Sequence, residues 1–216
     1  MSQEFSIDMR VAELLASRLC HDIVGPIGAV NNGMELMADD SFGMADDALE
    51  LASRSAAQAA AALQFFRLAY GAAGSNVEGG MATIERIARE YLEAHKCSLA
   101  WAPEVAAPAV PESAGKLILN MLALAAEGLP RGGNLSVCLA EGNPATLEVL
   151  GVGADAGLRP EVIQGMAADA AVGDLTPRSV HGYFTRRVAE RAAAALNFEM
   201  PAVDAFKVTA VLSSSA

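Results

Sequence analysis

Cysteine, aromatic residues and positive charge are all scarce in this chain, and each shortage removes a class of function. Only three cysteines occur among 216 residues: Cys20, Cys97 and Cys138. They are odd in number and far apart, with no Cys-x-x-Cys or Cys/His spacing, which argues against a disulfide scaffold and a structural zinc site. Aromatics make up 5% of the chain, with Trp101 the single tryptophan, so a base-stacking surface is poorly supplied. Lysine and arginine number 15 against 26 acidic residues, for a net charge of −11. Nucleic-acid backbones and anionic membranes demand the opposite sign, so neither is expected as a partner. Residues Met1 to Arg10 are polar and acidic where a secretory signal needs an apolar run. No apolar stretch approaches the ~18–20 residues of a membrane span, and a cytoplasmic location is expected.

What is abundant is aliphatic, at 53% hydrophobic residues with alanine prominent, which suits closely packed helices. Val11, Leu15, Leu19, Ile23, Ile27, Val30, Met34 and Met37 recur at spacings of three and four, the stripe of an amphipathic helix. Asp39 to Gly43 supplies turn chemistry. Ala45, Leu49, Ala52, Ala56, Ala59, Leu63, Phe66 and Tyr70 then mark a second long helix. Each helix spans about 27–30 residues, or roughly 40–45 Å. A hairpin that long cannot cover both its stripes alone, whereas two copies can pair as a four-helix bundle, so a homodimer is expected.

The chain divides near Tyr70-Gly71-Ala72-Ala73-Gly74-Ser75-Asn76, giving a helical unit at 1–74 and a mixed unit at 75–216. In the second unit the pattern predicts a helix over Met81–Ala94 and a strand over Cys97–Ala102. A Pro-rich connection follows at Pro103, Pro108 and Pro111, then a Ser113-capped helix through Lys116–Ala126. Strands are predicted at Leu135–Ala140 and Thr146–Val152, with hairpin chemistry at Glu141-Gly142-Asn143-Pro144 between them. Helices over Arg159–Ala168 and Arg178–Ala195 and a last strand over Phe206–Leu212 complete an α+β chain.

His21 lies about 200° around the helix from both Leu19 and Ile23, pointing away from the apolar seam into solvent. Ser17, Arg18, Gly25, Gly28 and Asn32 share its face. Two glycines there cost roughly 1 kcal/mol each relative to alanine, and Pro26 removes a backbone donor. An idle exposed face would carry Glu, Lys or Gln. A bare one beside an imidazole suits close approach by another protein, although a surface histidine in a kinked helix is the plainer alternative. A neutral imidazole is a good nucleophile near pH 7 and can hold a phosphoryl group on nitrogen. Asp22 can accept from Nδ1–H and leave Nε2 free to attack, while Arg18 can balance phosphate charge. His95 and His181 are expected to be structural, and Glu13 and Glu35 to be solvated. Lys116 and Arg178 are ordinary surface charges or anion ligands.

The stretch His21-Asp22-Ile23-Val24-Gly25-Pro26 resembles the H-box of two-component histidine kinases, in which an acid follows the histidine and a proline stands five residues on. The wider segment Leu19–Leu36 resembles the ChpT-type phosphotransferases of a bacterial cell-cycle phosphorelay, and the likeness extends by element order over essentially the whole chain. It implies a dimerising hairpin followed by a degenerate, Bergerat-type α/β sandwich like the nucleotide domain of those kinases. A working kinase of that kind has two asparagines four apart in its N-box; here Asn120 is followed by Leu124. Its DxGxG loop corresponds to Gly153-Ala154-Asp155-Ala156-Gly157, with glycine at the acid's position, and its second glycine box is reduced to Gly182. No bound cofactor or metal is therefore expected. The domain reads as a former ATP site turned docking platform, or as a lid that stabilises the bundle.

The resemblance implies a phosphotransferase in which His21 takes a phosphoryl group from the receiver of a CckA-like hybrid kinase and passes it to CtrA-like and CpdR-like response regulators. Mg2+ would come from each receiver's acidic pocket. The expected docking face comprises Gly25, Pro26, Gly28, Asn31, Asn32 and, from the second helix, Phe65. The alternatives are a divergent ATP-dependent histidine kinase and a noncatalytic dimeric adaptor that binds receivers.

Overall fold

The computed structural model describes residues 8–39, 43–72, 77, 79–102, 114–140 and 146–212. Two long helices form an antiparallel hairpin, α1 (Met9–Ala38) and α2 (Ala45–Ala69). Asp8 caps the first by accepting the Arg10 backbone N–H at 2.8 Å. The helix runs through Pro26 without interruption. Close approach of the two helices depends on small residues: a Cβ on Gly33 would meet the Ala48 carbonyl oxygen at 2.8 Å and the Ala52 Cβ at 2.9 Å. Ala48, Ala52, Ser55 and Ala59 line the buried side of α2.

The second part is a five-stranded mixed sheet covered on one face by helices. In chain order it contains α3 (Gly80–Ala94), β1 (Cys97–Trp101), α4 (Ala114–Glu127), β2 (Gly133–Ala140) and β3 (Thr146–Val152). It continues with α5 (Pro160–Met166), a 3-10 turn at Val172–Asp174, α6 (Val180–Arg191), β4 (Ala194–Ala202) and β5 (Ala205–Leu212). The strand order is β1-β2-β3-β5-β4, parallel between β1 and β2 and antiparallel elsewhere. Leu135, Val137, Leu147, Val149, Phe206, Val208 and Ala210 are buried from successive strands. One hydrophobic cluster extends from Val11 and Leu15 of the hairpin through α3, α4 and the sheet to Leu212.

Most expected elements form, and the differences have physical causes. The helix expected over Arg178–Ala195 ends at Arg191, and the strand β4 that follows it is absent from the sequence reading. The chain reverses at Ala193, with φ 52°. Glycine is the usual residue for that left-handed turn, so an alanine run hides the stop. β4 is an edge strand carrying Pro201; its Leu196, Phe198 and Met200 alternate with Asn197 and Glu199, but the helix expected through Ala195 runs over the start of that pattern. His181 lies in the first turn of α6. The Ser113 cap, the turn residues 40–42 and 141–144, and the prolines at 103, 108 and 111 lie outside the described residues.

The hairpin is locked to the sheet part by aromatic stacking and by polar side chains from α4. Phe65 stacks on Tyr91 of α3, with ring centroids 3.8 Å apart and planes at 17°. It is fully buried, which corrects the expectation of Phe65 at a partner surface. The stripe Leu63–Phe66–Tyr70 leaves Phe65 on a flank of α2, and α3 occupies that flank. Asn120 donates from Nδ2 to the Ala69 carbonyl at 2.7 Å and to the Lys116 carbonyl at 2.8 Å. Lys116 donates to the Gly71 carbonyl at 3.0 Å. Both side chains thus serve carbonyls at the C-terminal end of α2, where a helix lacks its own donors.

Nearer the middle of α1, Arg18 forks onto Glu127 at the end of α4, with Nη2–Oε1 2.5 Å and Nη1–Oε2 3.4 Å. Fully buried His181 meets the same carboxylate from behind, Nδ1 to Oε1 at 2.6 Å. Burial pushes the His181 imidazole below the ordinary histidine value, against the pull of Glu127. Burial alone would raise the Glu127 carboxyl, but the His181 hydrogen bond and Arg18 reverse this and hold it below the ordinary carboxylate value. The pair is therefore neutral imidazole, donating from Nδ1, and ionised carboxylate.

Truncating Phe65→Ala is expected to cost about 3–5 kcal/mol of unfolding free energy, read by urea denaturation, because it empties the stacked site against Tyr91. Acid should also destabilise the fold. The unfolded chain protonates its histidine first, so stability contributed by neutral His181 declines as pH falls below about 6.5. The Glu127 contribution is present above its ordinary value of 4.5 and is lost as pH falls through the lowered folded value. Urea midpoints between pH 7.5 and 5.5 should fall in the wild type and fall less in His181→Gln.

Candidate functional site

His21 projects from the middle of α1 with 89% of its side chain exposed. The helix places Asp22 beside it, with Oδ1 at 3.3 Å from Nδ1, so Nε2 is the ring nitrogen turned away from the carboxylate. The surface around it is bare. A Cβ built on Gly25 or Gly28 would meet nothing within 4 Å, so neither glycine is demanded by internal packing. Pro26 and Gly28 are half-buried, while Gly25, Asn31 and Asn32 are exposed. Asn31 and Asn32 lie ten and eleven residues on, about 15 Å further along the helix.

Two clefts meet at the imidazole. One, about 320 Å3, runs between α1, α2 and α3 and includes Asp22, Pro26, Gln58 and His95. The other, about 530 Å3, opens between α1 and the sheet part and includes Arg18, Glu127, Arg159 and Arg178. The structure thus brings His21, Asp22, Pro26 and Arg18 together. It leaves Asn31 and Asn32 on more distant surface and removes Phe65 to the core. Arg18 is not a free cation: its fork is occupied by Glu127, and its Nε stands 3.9 Å from Asp22 Oδ2. Ion pairing with Glu127 and Asp22 raises its pKa further above the arginine value, although burial opposes this.

Gln58, His95, Glu127 and Arg159 escaped the sequence reading as neighbours of His21. Glu127 lies 109 residues from Arg18, and no local pattern announces such a pair. Arg178 was visible only as a cation of open purpose. His95 receives a definite local role, its Nδ1 lying 3.0 Å from the Tyr91 carbonyl.

The positions that would serve a nucleotide in a kinase have other occupations here. Asn120 is buried against the end of α2, and Leu124 is wholly buried. A Cβ on Gly182 would lie 2.3 Å from the Val162 carbonyl oxygen, so that glycine permits contact between α6 and α5. Asp155 has φ 59° and pairs through Oδ2 with exposed Arg131 at 2.9 Å. Among the described residues, no group of three or more His, Cys, Asp or Glu is arranged to hold a metal ion. Nor, among them, is any helix long and apolar enough to cross a membrane.

Comparison with known proteins places this geometry in a family. Residues 81–203 match the histidine phosphotransferase C-terminal domain. The protein phosphotransferase ChpT of Brucella abortus (strain 2308) is 36% identical over 193 residues, covering 88% of this chain and 90% of that protein. A solved bacterial phosphotransferase superimposes with a TM-score of 0.79 at 31% identity, over 95% of this chain and 98% of its own. An exposed helical histidine with an acid on Nδ1, set between a hairpin and this sheet domain, is therefore carried by a member of the histidine phosphotransferase family.

Proposed function

We propose that this chain is a phosphorelay intermediate that carries the phosphoryl group on His21. Nε2 attacks the aspartyl phosphate of a donor receiver domain; a P–N bond forms, the P–O bond breaks, and the donor carboxylate leaves. A second receiver's aspartate reverses the exchange and takes the group away. Asp22 holds the imidazole by Nδ1–H throughout. Mg2+ belongs to the receivers' acidic pockets, and the catalytic contribution of this chain is positioning and charge. The observation that carries the reading is the 89% exposed imidazole with Asp22 on one nitrogen, surrounded by glycines that nothing internal requires.

The donor in this proposal is a CckA-like hybrid kinase, and the acceptors are CtrA-like and CpdR-like regulators of a cytoplasmic cell-cycle relay. Residues 1–74 act as the phosphotransfer and dimerisation unit, and 75–216 as a docking platform without autokinase activity. The commitment of Asn120 to Ala69 and of Gly182 to helix packing supports that last point. Docking uses Gly25, Pro26 and Gly28 together with the two clefts beside His21.

Dimerisation is supported by apolar surface left over on the hairpin. Ile27, Met34 and Leu36 of α1 and Leu49 and Leu63 of α2 are exposed in the single chain. Val11 and Leu15, from the same stripe as Ile27 and Met34, are instead covered by the chain's own helical packing.

With a radiolabelled, prephosphorylated receiver as donor, wild type should acquire acid-labile label, His21→Ala none, and an ATP-only reaction none. Label from ATP alone would restore the kinase reading, and binding without transfer would leave the adaptor. Light scattering should give a dimer, which Leu49→Glu combined with Leu63→Glu converts to monomer.

A further inference from the structure

A continuous chain of polar groups runs from the exposed His21 into the core of the sheet part. His21 Nδ1 faces Asp22 Oδ1 at 3.3 Å, and Asp22 Oδ2 faces Arg18 Nε at 3.9 Å. Arg18 is forked by Glu127, and Glu127 is braced by buried His181 at 2.6 Å. The weak link is informative. At 3.9 Å the Arg18–Asp22 contact is an ion pair but not a hydrogen bond, and Arg18 Nε is buried without a hydrogen-bond partner. Arg18 and Asp22 stand one helical turn apart, where an arginine and an aspartate readily pair directly. Here the guanidinium is instead engaged by Glu127 at the end of α4.

We propose that Glu127 is a positioning residue for phosphoryl transfer: by holding Arg18 away from Asp22, it keeps the Asp22 carboxylate available to the Nδ1–H of His21. His21 faces Oδ1 and Arg18 faces Oδ2 of the same carboxylate, so a guanidinium that closes fully on Asp22 turns the carboxylate toward itself and draws its charge away from Nδ1–H. With Glu127 ionised and anchored by His181, the guanidinium is satisfied elsewhere, and Asp22 fixes the tautomer whose Nε2 attacks. Without that charge, Arg18 closes onto Asp22, the imidazole loses its orienting acceptor, and the Nε2–H tautomer, which cannot attack at that nitrogen, gains population. The sheet part thereby acts on the chemistry of a histidine borne by the hairpin.

This inference rests on the proposed transfer through His21, so the experiment has one arm that does not need transfer. Glu127→Gln keeps the side-chain shape and removes the charge. In single-turnover transfer from a phosphorylated receiver, it should lower the rate at saturating receiver by about tenfold or more, with half-saturation unchanged. Adding Arg18→Met should restore most of that loss, because the competitor for Asp22 is gone. In the unphosphorylated protein, the 15N shifts of the His21 ring should show less Nδ1–H tautomer in Glu127→Gln and recovery in the double variant.

A wild-type rate and tautomer in Glu127→Gln would overturn the proposal. So would a double variant that stays slow, which would make Arg18 a direct phosphate ligand, or an effect confined to half-saturation, which would make Glu127 a docking contact. If wild type itself accepts no phosphoryl group, the transfer reading fails, while the nitrogen shifts still decide whether Glu127 governs the His21–Asp22 contact. Thermal melts identify any variant that loses its fold; Arg18→Lys with Glu127 intact, which keeps the ion pair, then replaces it and should retain the wild-type tautomer.

Discussion

Helix α4 is buried along almost its whole length, and its polar side chains have to find partners with little access to water. Lys116, Asn120 and Glu127 all find them on the hairpin: the Gly71 carbonyl, the Ala69 carbonyl and the Arg18 guanidinium. An unpaired buried polar group costs on the order of 1–3 kcal/mol, and more if charged, so these three bonds allow few placements of the hairpin against the sheet. Two of them close the end of α2 and the third grips α1 one turn before His21. The position of His21 relative to the sheet part is set by this buried helix as much as by the hairpin that bears it.

The remaining packing reinforces the same placement. Phe65 and Phe66 turn inward from α2 against Tyr91, and Tyr70 packs against Phe184 and His181 of α6. These rings fill the junction from which the two clefts beside His21 open. A receiver domain reaching the imidazole would meet α1 and α2 together with surfaces of α3, α5 and the segment before α6. Asn120, Gly182 and Asp155 each take a structural contact in this arrangement.

The two long helices and the bare face around His21 were legible because helical periodicity is local: spacings of three and four put residues on one face whatever surrounds them. Four of the five strands were legible for a similar reason, by alternation and flanking turns. β4 was not, because an alanine rather than a glycine takes the left-handed position that ends α6, so the helix reads on into the strand, and Pro201 argues against a strand there. Phe65 was misplaced because a helix stripe does not say which flank a later element will cover.

The sequence by itself determined the exposure of His21, its acidic neighbour and the bareness of its face, since all three depend on residues within two turns of one helix. Which part of the hairpin's apolar stripe stays exposed was decided by the fold, which covers Val11 and Leu15 and leaves Ile27 and Met34 open. Only the tertiary structure decided that Arg18 is held by Glu127, that His181 stands behind that carboxylate, and that two clefts converge on the imidazole. Those contacts join residues more than fifty positions apart. Their partners are chosen by burial and charge compensation in the folded chain, which no local spacing encodes.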